Sequence, residues 1–229
     1  MEEKDSHPIS FLVTDDHSHT LFSERFKATY HSTKGAISES KHVFIQNGLQ
    51  FFCEQSNTKE ISVLEIGFGT GLNAFLTYLY AKEHGLKIKY HTIEAFPVPI
   101  TEAIRLNYAN EFSEQENMVF HQMHQQEWNR EEEAAKDFLL TKHLGLLQEF
   151  KSSQKFNVIY FDAFSPSEQP ELWTGHIFKK MFDLLEDKGV LVTYSAQGQM
   201  KRNMKSAGFK VTALPGFGGK REMTRAERV

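Results

Sequence analysis

Short apolar runs alternate with amphipathic stretches along most of the chain. Residues 61–66 form an apolar run rich in β-branched side chains, which predicts a buried strand. Residues 72–84 have the apolar content of a helix, and Gly85 is a typical C-terminal stop. Residues 87–93 alternate between apolar and polar positions like a second strand. This strand–helix–strand order predicts a doubly wound α/β sheet.

Similar patterns continue to the C-terminus. They predict helices that start within 101–108 and cover 127–148, 172–185 and 199–207, and strands over 118–123, 155–161, 189–194, 209–214 and 222–226. We therefore expect a Rossmann-like, seven-stranded sheet.

The first sixty residues precede this sheet. Residues 14–21 and 28–32 predict short strands of a polar hairpin. Residues 38–52 predict a helix, with Ser38 or Ser40 as its N-cap. We expect a hairpin-and-helix appendage over residues 1–60 and one Rossmann-like domain over residues 61–229.

A glycine turn follows the first strand of the predicted sheet. Gly67, Gly69 and Gly71 have the spacing G-x-G-x-G, whereas dinucleotide enzymes have G-x-G-x-x-G. Glu65 stands two residues before the first glycine. A carboxylate at that place disfavours a pyrophosphate and favours an ammonium group. A glycine turn in another kind of α/β protein is the alternative.

Polar residues follow three further predicted strands. Glu94 lies ~20 residues past the glycines, where an acidic residue binds the ribose hydroxyls of adenosine-type ligands. His124 follows the predicted third strand, and Asp162 closes the fourth. A carboxylate such as Asp162 can orient an amine and accept its proton. The alternatives are a solvated strand end for Glu94 and a helix cap for Asp162.

Composition and charge narrow the function classes. Hydrophobic residues make up 40% of the 229, which is ample for a packed core, and Cys53 is the single cysteine. No apolar run approaches the ~20 residues of a membrane span, and the N-terminus is not a signal peptide, so a cytoplasmic protein is expected. The net charge is −4, yet residues 198–229 contain eight Lys or Arg and two Glu. A polyanion could bind this basic region, although a solvated helix face is equally consistent with it.

His17 and His19 form an H-x-H pair that no acid or Cys cluster completes, so no metal is expected.

The motifs together resemble a known family. The E-x-G-x-G-x-G string is similar to motif I of class I S-adenosylmethionine-dependent methyltransferases. The whole chain resembles the methyltransferase domain of the bifunctional tRNA 5-methylaminomethyl-2-thiouridine biosynthesis proteins. The segments that carry this resemblance begin at Asp16 (DHSHTLF), Ser38 (SESKHVF), Leu64 (LEIGFGTGLN), Tyr160 (YFDAFSP), Leu172 (LWT), Thr193 (TYSA), Ala207 (AGF) and Gly219 (GKREM).

The resemblance implies methyl transfer from S-adenosylmethionine to the aminomethyl nitrogen of a wobble uridine in tRNA. It implies a cofactor site that comprises Glu65, Gly67, Gly69, Gly71, Asn73, Glu94, Ala95, His124 and Asp162, with Asp162 also catalytic. It implies a substrate site that comprises Asp16, Ser38, Glu39, Phe164, Lys220, Arg221 and Glu222.

The bifunctional proteins also have a flavin-dependent oxidase domain, for which 229 residues leave no room. A separate source of the aminomethyl precursor is therefore expected, and so is a monomer. Two other functions stay open: an aminopropyltransferase-like or methyltransferase enzyme that acts on a small amine, and a non-catalytic tRNA-binding protein.

Overall fold

Two sheets organise the fold. The computed structural model describes residues 9–110 and 112–229. The smaller sheet is antiparallel and contains β1 (Ile9–Val13), β2 (His19–Ser23) and β3 (Ala28–Thr29). The larger sheet contains β4 (Glu60–Ile66), β5 (Lys87–Glu94), β6 (Glu131–Ala135), β7 (Phe138–Leu144), β8 (Phe156–Phe161), β9 (Leu185–Thr193), β10 (Lys210–Pro215) and β11 (Glu222–Glu227). Its strand order is β10-β11-β9-β8-β4-β5-β7-β6.

The helices connect these strands and cover both faces of the larger sheet. They are α1 (Ala36–Ser40), a π-helical segment (Lys41–Gln50), α2 (Phe51–Gln55), α3 (Leu72–His84), α4 (Ile100–Ala103), α5 (Glu114–Gln125), α6 (Gly175–Leu184) and α7 (Gly198–Ser206). The prediction of a doubly wound α/β fold is confirmed. At the N-terminus, residues 14–18 form the turn between β1 and β2 and not part of the strand that the sequence predicts. None of these helices has both the length and the apolar character that a membrane-spanning helix requires, within residues 9–110 and 112–229.

The central strands end together. β4 pairs in parallel with β5 and with β8, and Ile66 lies opposite both Ile93 and Phe161. The residues that follow, from Gly67, Glu94 and Asp162 onward, therefore meet at one edge of the sheet. This edge is where open α/β sheets bind their ligands.

The predicted third strand is wrong. Residues 118–123 belong to α5, whose N-cap Ser113 accepts from the Glu116 backbone N–H while the Glu116 side chain bonds back to Ser113. This capping box starts a helix that buries Val119, Phe120 and Met123. His124 therefore lies near the end of a helix and not at the end of a strand.

The predicted acidic helix over 127–148 is also wrong. These residues contain the hairpin of β6 and β7, with Asp137 at a positive φ of 60° in the turn. β7 runs parallel to β5 and is the true third strand, whereas β6 pairs antiparallel at the edge. The sheet consequently has eight strands and not seven, and the glutamates of β6 lie on the edge strand, where charged side chains discourage pairing with other chains.

The N-cap predicted at Ser38 or Ser40 is wrong as well, because the helix starts after Gly35. Its first turn is capped by the β1–β2 turn: Asp16 Oδ2 accepts from the backbone N–H of Ser38 at 2.9 Å and from its hydroxyl at 2.7 Å. Ser18 Oγ accepts from the N–H of Ala36 at 3.1 Å. The hairpin is thereby fixed to the helix that follows it.

The helical segment 36–55 packs on the larger sheet. Val43, Phe44 and Leu49 are buried in the same core as β4 and β8. Gly48 allows close contact, since a Cβ there would lie 2.8 Å from Val192 Cγ2 on β9. The first sixty residues thus contribute a core helix as well as the hairpin.

Candidate active site

A cavity of about 420 Å³ opens at the carboxyl edge of the larger sheet. Its wall combines the loops after β4, β5, β7 and β8 with residues 25–32 of the hairpin region. Nine residues expected at the site lie in this wall: Gly67, Gly69, Asn73, Glu94, Ala95, Asp162, Glu39, Phe164 and Lys220. Residues from both ends of the chain therefore enclose one space.

Each glycine of the turn is required by a different neighbour. A Cβ on Gly67 would lie 2.9 Å from the backbone oxygen of Asp162, and one on Gly69 would lie 2.9 Å from the Tyr30 ring. A Cβ on Gly71 would lie 2.8 Å from His124 Nε2. All three have positive φ, between 48° and 92°. The turn is thus in close contact with the loop after β8, with Tyr30 near the end of the hairpin and with α5.

Glu94 closes β5 and holds the glycine turn. Its Oε2 accepts from the Gly69 N–H at 3.0 Å, and its Oε1 accepts from the Phe96 N–H at 2.7 Å. Burial raises the pKa of Glu94, and these backbone hydrogen bonds act in the opposite direction. Backbone N–H groups of Ala95 and Phe68 act in the same direction, so the residues after β4 and β5 together orient this carboxylate.

Asp162 lies directly after β8. Its Oδ2 accepts from Asn73 Nδ2 at 2.8 Å, which fixes the orientation of the carboxyl. Burial raises the pKa of Asp162 to about 7; the charge of Glu39 also raises it, whereas Asn73 and Lys220 oppose the shift. A carboxyl with this pKa can accept or release a proton at neutral pH.

Glu39 and Lys220 meet inside the cavity. Lys220 Nζ donates to Glu39 Oε1 at 2.8 Å, and the other Glu39 oxygen accepts from the Ser32 N–H at 2.8 Å. Lys220 Nζ also lies 5.0 Å from the centroid of the Tyr194 ring. The Tyr194 hydroxyl donates to the backbone oxygen of Ala163 at 2.8 Å, which fixes the ring beside Asp162 in the wall.

Aromatic side chains form another part of the wall. Phe26 stacks on Phe164 with ring centroids 4.3 Å apart, and Tyr30 contacts Phe164 edge-on at 5.1 Å. The Arg25 guanidinium lies 3.7 Å from the centroid of Phe96. Of these residues only Phe164 was expected from the sequence, because the others lie on a hairpin loop and a β5 loop without a recognisable motif.

Glu65 and His124 lie behind the glycine turn and not in the cavity wall. Glu65 is fully buried, and neither carboxyl oxygen has a hydrogen-bond partner among the described residues. Burial and the charge of Asp162 raise its pKa well above the ordinary value. The Nε2 of His124 donates to the backbone oxygen of Thr70 at 3.2 Å. The third true strand instead brings residues 145–148 to the cavity, which sequence reasoning missed.

Four residues expected at the substrate site also lie outside the wall. Asp16 and Ser38 bond each other in the helix cap. Arg221 is exposed on the β10–β11 turn, and Glu222 is paired with Lys201 of α7. The basic C-terminal region is thus partly neutralised, since Lys210 and Arg228 are paired as well.

Comparison with known proteins identifies the family. Residues 107–229, more than half of the chain, match the S-adenosyl-L-methionine-dependent methyltransferase family. The tRNA 5-methylaminomethyl-2-thiouridine biosynthesis bifunctional protein MnmC of Ralstonia nicotianae is 30% identical over 90% of this chain and 33% of its own length. The MnmC of Methylobacillus flagellatus is 28% identical over 94% of this chain and 35% of its own. The chain therefore spans about a third of the length of the curated relatives it matches.

Two solved structures share the fold. MNMC2 from Aquifex aeolicus superimposes with a TM-score of 0.78 at 25% identity, over 97% of this chain and 71% of that one. The spermidine synthase of Thermotoga maritima shares the fold, with a TM-score of 0.58 at 14% identity over 99% of this chain and 70% of its own. With the glycine turn, the strand-end carboxylates and the match over its C-terminal half in agreement, this chain belongs to the S-adenosyl-L-methionine-dependent methyltransferase family.

Proposed function

We propose that this protein methylates the aminomethyl nitrogen on a wobble uridine of tRNA, which gives the 5-methylaminomethyl group. The observation that carries the proposal is Asp162, a carboxyl with a pKa near 7 that Asn73 orients at the end of β8, beside the glycine turn. The similarity to the MnmC proteins over 90% of the chain supports the same substrate.

The cavity suits a cationic cofactor. S-adenosylmethionine carries a sulfonium and an ammonium group, and its volume suits a cavity of ~300–1,000 Å³. Among the described residues, the wall contains more carboxylates than cations. The carboxylates are Glu39, Glu94, Asp162, Glu168 and Glu171, and the cations are Arg25 and Lys220. This excess of negative charge favours the sulfonium form of the cofactor over a neutral ligand of the same shape.

Residues around the cavity have separate roles in holding the cofactor. The carboxylate of Glu94 binds the ribose hydroxyls, as strand-end carboxylates do in related folds. The backbone of Gly67 and Gly69, with Ala95 opposite, contacts the adenosine and amino acid parts. The loop after β7, where Leu146 and Gln148 line the cavity, contacts the adenine.

Asp162 deals with the proton of the substrate. An alkylamine arrives as an ammonium ion, which has no lone pair, so its proton must leave before it can react. Asp162 accepts that proton, and its raised pKa lets the carboxyl return the proton to water near pH 7. When bound, S-adenosylmethionine supplies an electrophilic methyl group whose bonding electrons stay on sulfur. The chain itself contributes orientation, which is worth up to ~7–11 kcal/mol in well-aligned reactions.

The tRNA side of the proposal has two consequences. The wobble base must be extruded from the anticodon loop to reach Asp162, as bases do in other enzymes that modify them. The aminomethyl group on the uridine must also be supplied by a separate reaction. A monomer in the cytoplasm, where tRNA is modified, completes the proposal.

Labelled methyl transfer tests this function. The protein is incubated with labelled S-adenosylmethionine and bulk tRNA that lacks the modification, and the tRNA is digested to nucleosides. Label in 5-methylaminomethyl-uridine is expected, and the Asp162→Asn variant should give little of it. Cofactor binding without label in tRNA would contradict the tRNA substrate and direct attention to small amines.

A further inference from the structure

The ammonium group of Lys220 occupies a defined place in the cavity. It donates to the Glu39 carboxylate at 2.8 Å and lies 5.0 Å from the centre of the Tyr194 ring. A carboxylate together with an aromatic face is a common way to bind an ammonium ion, because both attract positive charge. Glu39 and Tyr194 thus form an ammonium-binding subsite, which we call the amine subsite.

Glu39 is held in a way that suits a binding residue. Its side chain is only 8% exposed, and its second oxygen accepts from the Ser32 N–H at 2.8 Å. A buried carboxylate without a cation is costly, so the subsite must be filled by some positive group. In the free protein that group is Lys220.

The subsite lies next to the reacting position. Glu39, Asp162, Tyr194 and Lys220 all line the same cavity. The charge of Glu39 raises the pKa of Asp162 and that of Lys220 lowers it, so both groups lie within electrostatic range of the Asp162 carboxyl. An ammonium ion bound by Glu39 would therefore lie in the same cavity as Asp162 and within electrostatic range of its carboxyl.

Lys220 can leave the subsite more easily than Glu39. Its side chain is 46% exposed, and it follows Gly218 and Gly219, which have positive φ angles of 61° and 86°. A Cβ on Gly219 would meet nothing within 4 Å. Glycines allow a turn to change conformation at little cost, whereas Glu39 is fixed on α1.

A lysine side chain ends in the same chemical group as the proposed substrate. Both present a protonated primary amine on a CH₂ group, with one positive charge and three donors. We propose that Glu39 and Tyr194 bind the ammonium group of the substrate, and that Lys220 fills this subsite in the free protein until the substrate displaces it. The identity of the substrate amine rests on the function proposed above, whereas the subsite itself rests on the Lys220 contacts.

This role differs from a phosphate contact for Lys220. A lysine that binds tRNA phosphate adds affinity, so its removal raises KM and reduces the salt dependence of binding. A lysine that occupies the amine subsite competes with the substrate, so its removal lowers KM. The two roles therefore predict opposite changes.

The first experiment uses a minimal ligand. Ethylammonium chloride is titrated by calorimetry into wild-type, Lys220→Met and Lys220→Met/Glu39→Gln proteins, each saturated with S-adenosylhomocysteine, with ethanol as the uncharged control ligand. We expect Lys220→Met to bind ethylammonium about tenfold more tightly than the wild type. The reason is that the ligand no longer competes with the Lys220 ammonium for a charge-assisted hydrogen bond to Glu39. The double variant should lose this gain.

The matched control variant is Lys34→Met. Lys34 is an exposed lysine paired with Asp15, and Gly218 of the same turn packs against it. The Lys34→Met substitution changes the net charge by the same amount as Lys220→Met but leaves Lys220 in the amine subsite. Equal ethylammonium binding by the wild type and Lys220→Met, or an equal gain in Lys34→Met, would overturn the proposal.

The second experiment uses RNA. An anticodon stem-loop with 5-aminomethyluridine at the wobble position is methylated by the wild type and by Lys220→Met over a range of salt concentrations. A lower KM in Lys220→Met is expected. A higher KM would overturn the proposal that the substrate displaces Lys220 from the amine subsite. If the wild type does not methylate this RNA at all, the proposed function fails, while the ethylammonium titration still decides the subsite.

Discussion

The Nε2 of His31 lies 2.7 Å from the Oγ1 of Thr70, and this hydrogen bond joins the N-terminal hairpin region to the glycine turn. The backbone oxygen of Thr70 accepts a hydrogen bond from His124 Nε2 at 3.2 Å. Burial lowers the pKa of His31 to about 4 and that of His124 to about 3. Two neutral histidines from different parts of the chain therefore hold one residue of the cofactor turn.

Acid should release this turn. Because both histidines have lowered pKa values when folded, the unfolded chain, with a histidine pKa of ~6.5, binds more protons below that pH, and stability is lost as the pH falls from ~6.5 towards 4. We expect the melting temperature and the affinity for S-adenosylmethionine to fall together across this window. His31→Gln should weaken cofactor binding at pH 8 and flatten this dependence. A wild-type affinity that stays constant from pH 7 to pH 5 would contradict the role of the histidines.

Asp162→Asn should separate binding from turnover. The amide keeps the shape and can still contact Asn73, so the dissociation constant for S-adenosylmethionine should change little. Without a proton acceptor, kcat should fall by about 10²–10⁴-fold. For the wild type, kcat/KM should rise with pH through an inflection near 7, where Asp162 loses its proton. Glu171→Gln, which removes a carboxylate elsewhere in the same wall, is the control and should keep that inflection.

Gly71→Ala should damage both stability and cofactor binding. Its Cβ would lie 2.8 Å from His124 Nε2, and the residue has a φ of 72°. Gly85→Ala is the matched control, since Gly85 has a φ of 61° but nothing within 4 Å of a Cβ. We expect Gly85→Ala to cost ~1 kcal/mol of unfolding free energy from backbone strain and Gly71→Ala to cost ~1–3 kcal/mol more. Chemical denaturation measures the stability, and calorimetry measures the affinity for the cofactor. Equal losses of stability in the two variants would show that the His124 side chain moves and makes room for the Cβ.

Asp16→Ala tests whether Asp16 caps a helix or binds substrate. Although burial acts to raise it, hydrogen bonds from Ser18, Thr14 and Ser38 hold the pKa of Asp16 well below its usual range. Loss of such a cap costs ~0.5–2 kcal/mol, and the stabilisation should decline in acid as Asp16 becomes protonated. Asp15→Ala removes an exposed neighbour and should cost little. A rise in the KM for RNA in Asp16→Ala, at unchanged stability, would instead favour the substrate-binding role.

Local pattern was sufficient where an element carries its own signal. The run 61–66, the three glycines and the strand-end residues Glu94 and Asp162 could be predicted because strand, turn and helix follow each other without interruption. The prediction of a strand over residues 118–123 was wrong, since a short apolar run fits a strand or a buried helix equally well. The capping box of Ser113 and Glu116 was the signal that would have resolved it.

Contacts between distant parts of the chain left no such signal. The partnership of Glu39 with Lys220 depends on how α1 and the β10–β11 turn meet over the sheet. The Phe26–Phe164 stack depends on how the hairpin meets the loop after β8. Neither residue pair has a spacing that sequence periodicity can detect, so these parts of the wall required the three-dimensional structure.

The Glu39–Lys220 contact joins residues 181 positions apart, which has a consequence for folding. Closing so long a loop is entropically costly, and contacts of this sequence separation form late. During synthesis, Glu39 has left the ribosome long before Lys220 is made. Glu39 is therefore paired with Lys220 only after the last strand pair has joined the sheet, and until then the amine subsite of a nascent chain lacks its internal cation.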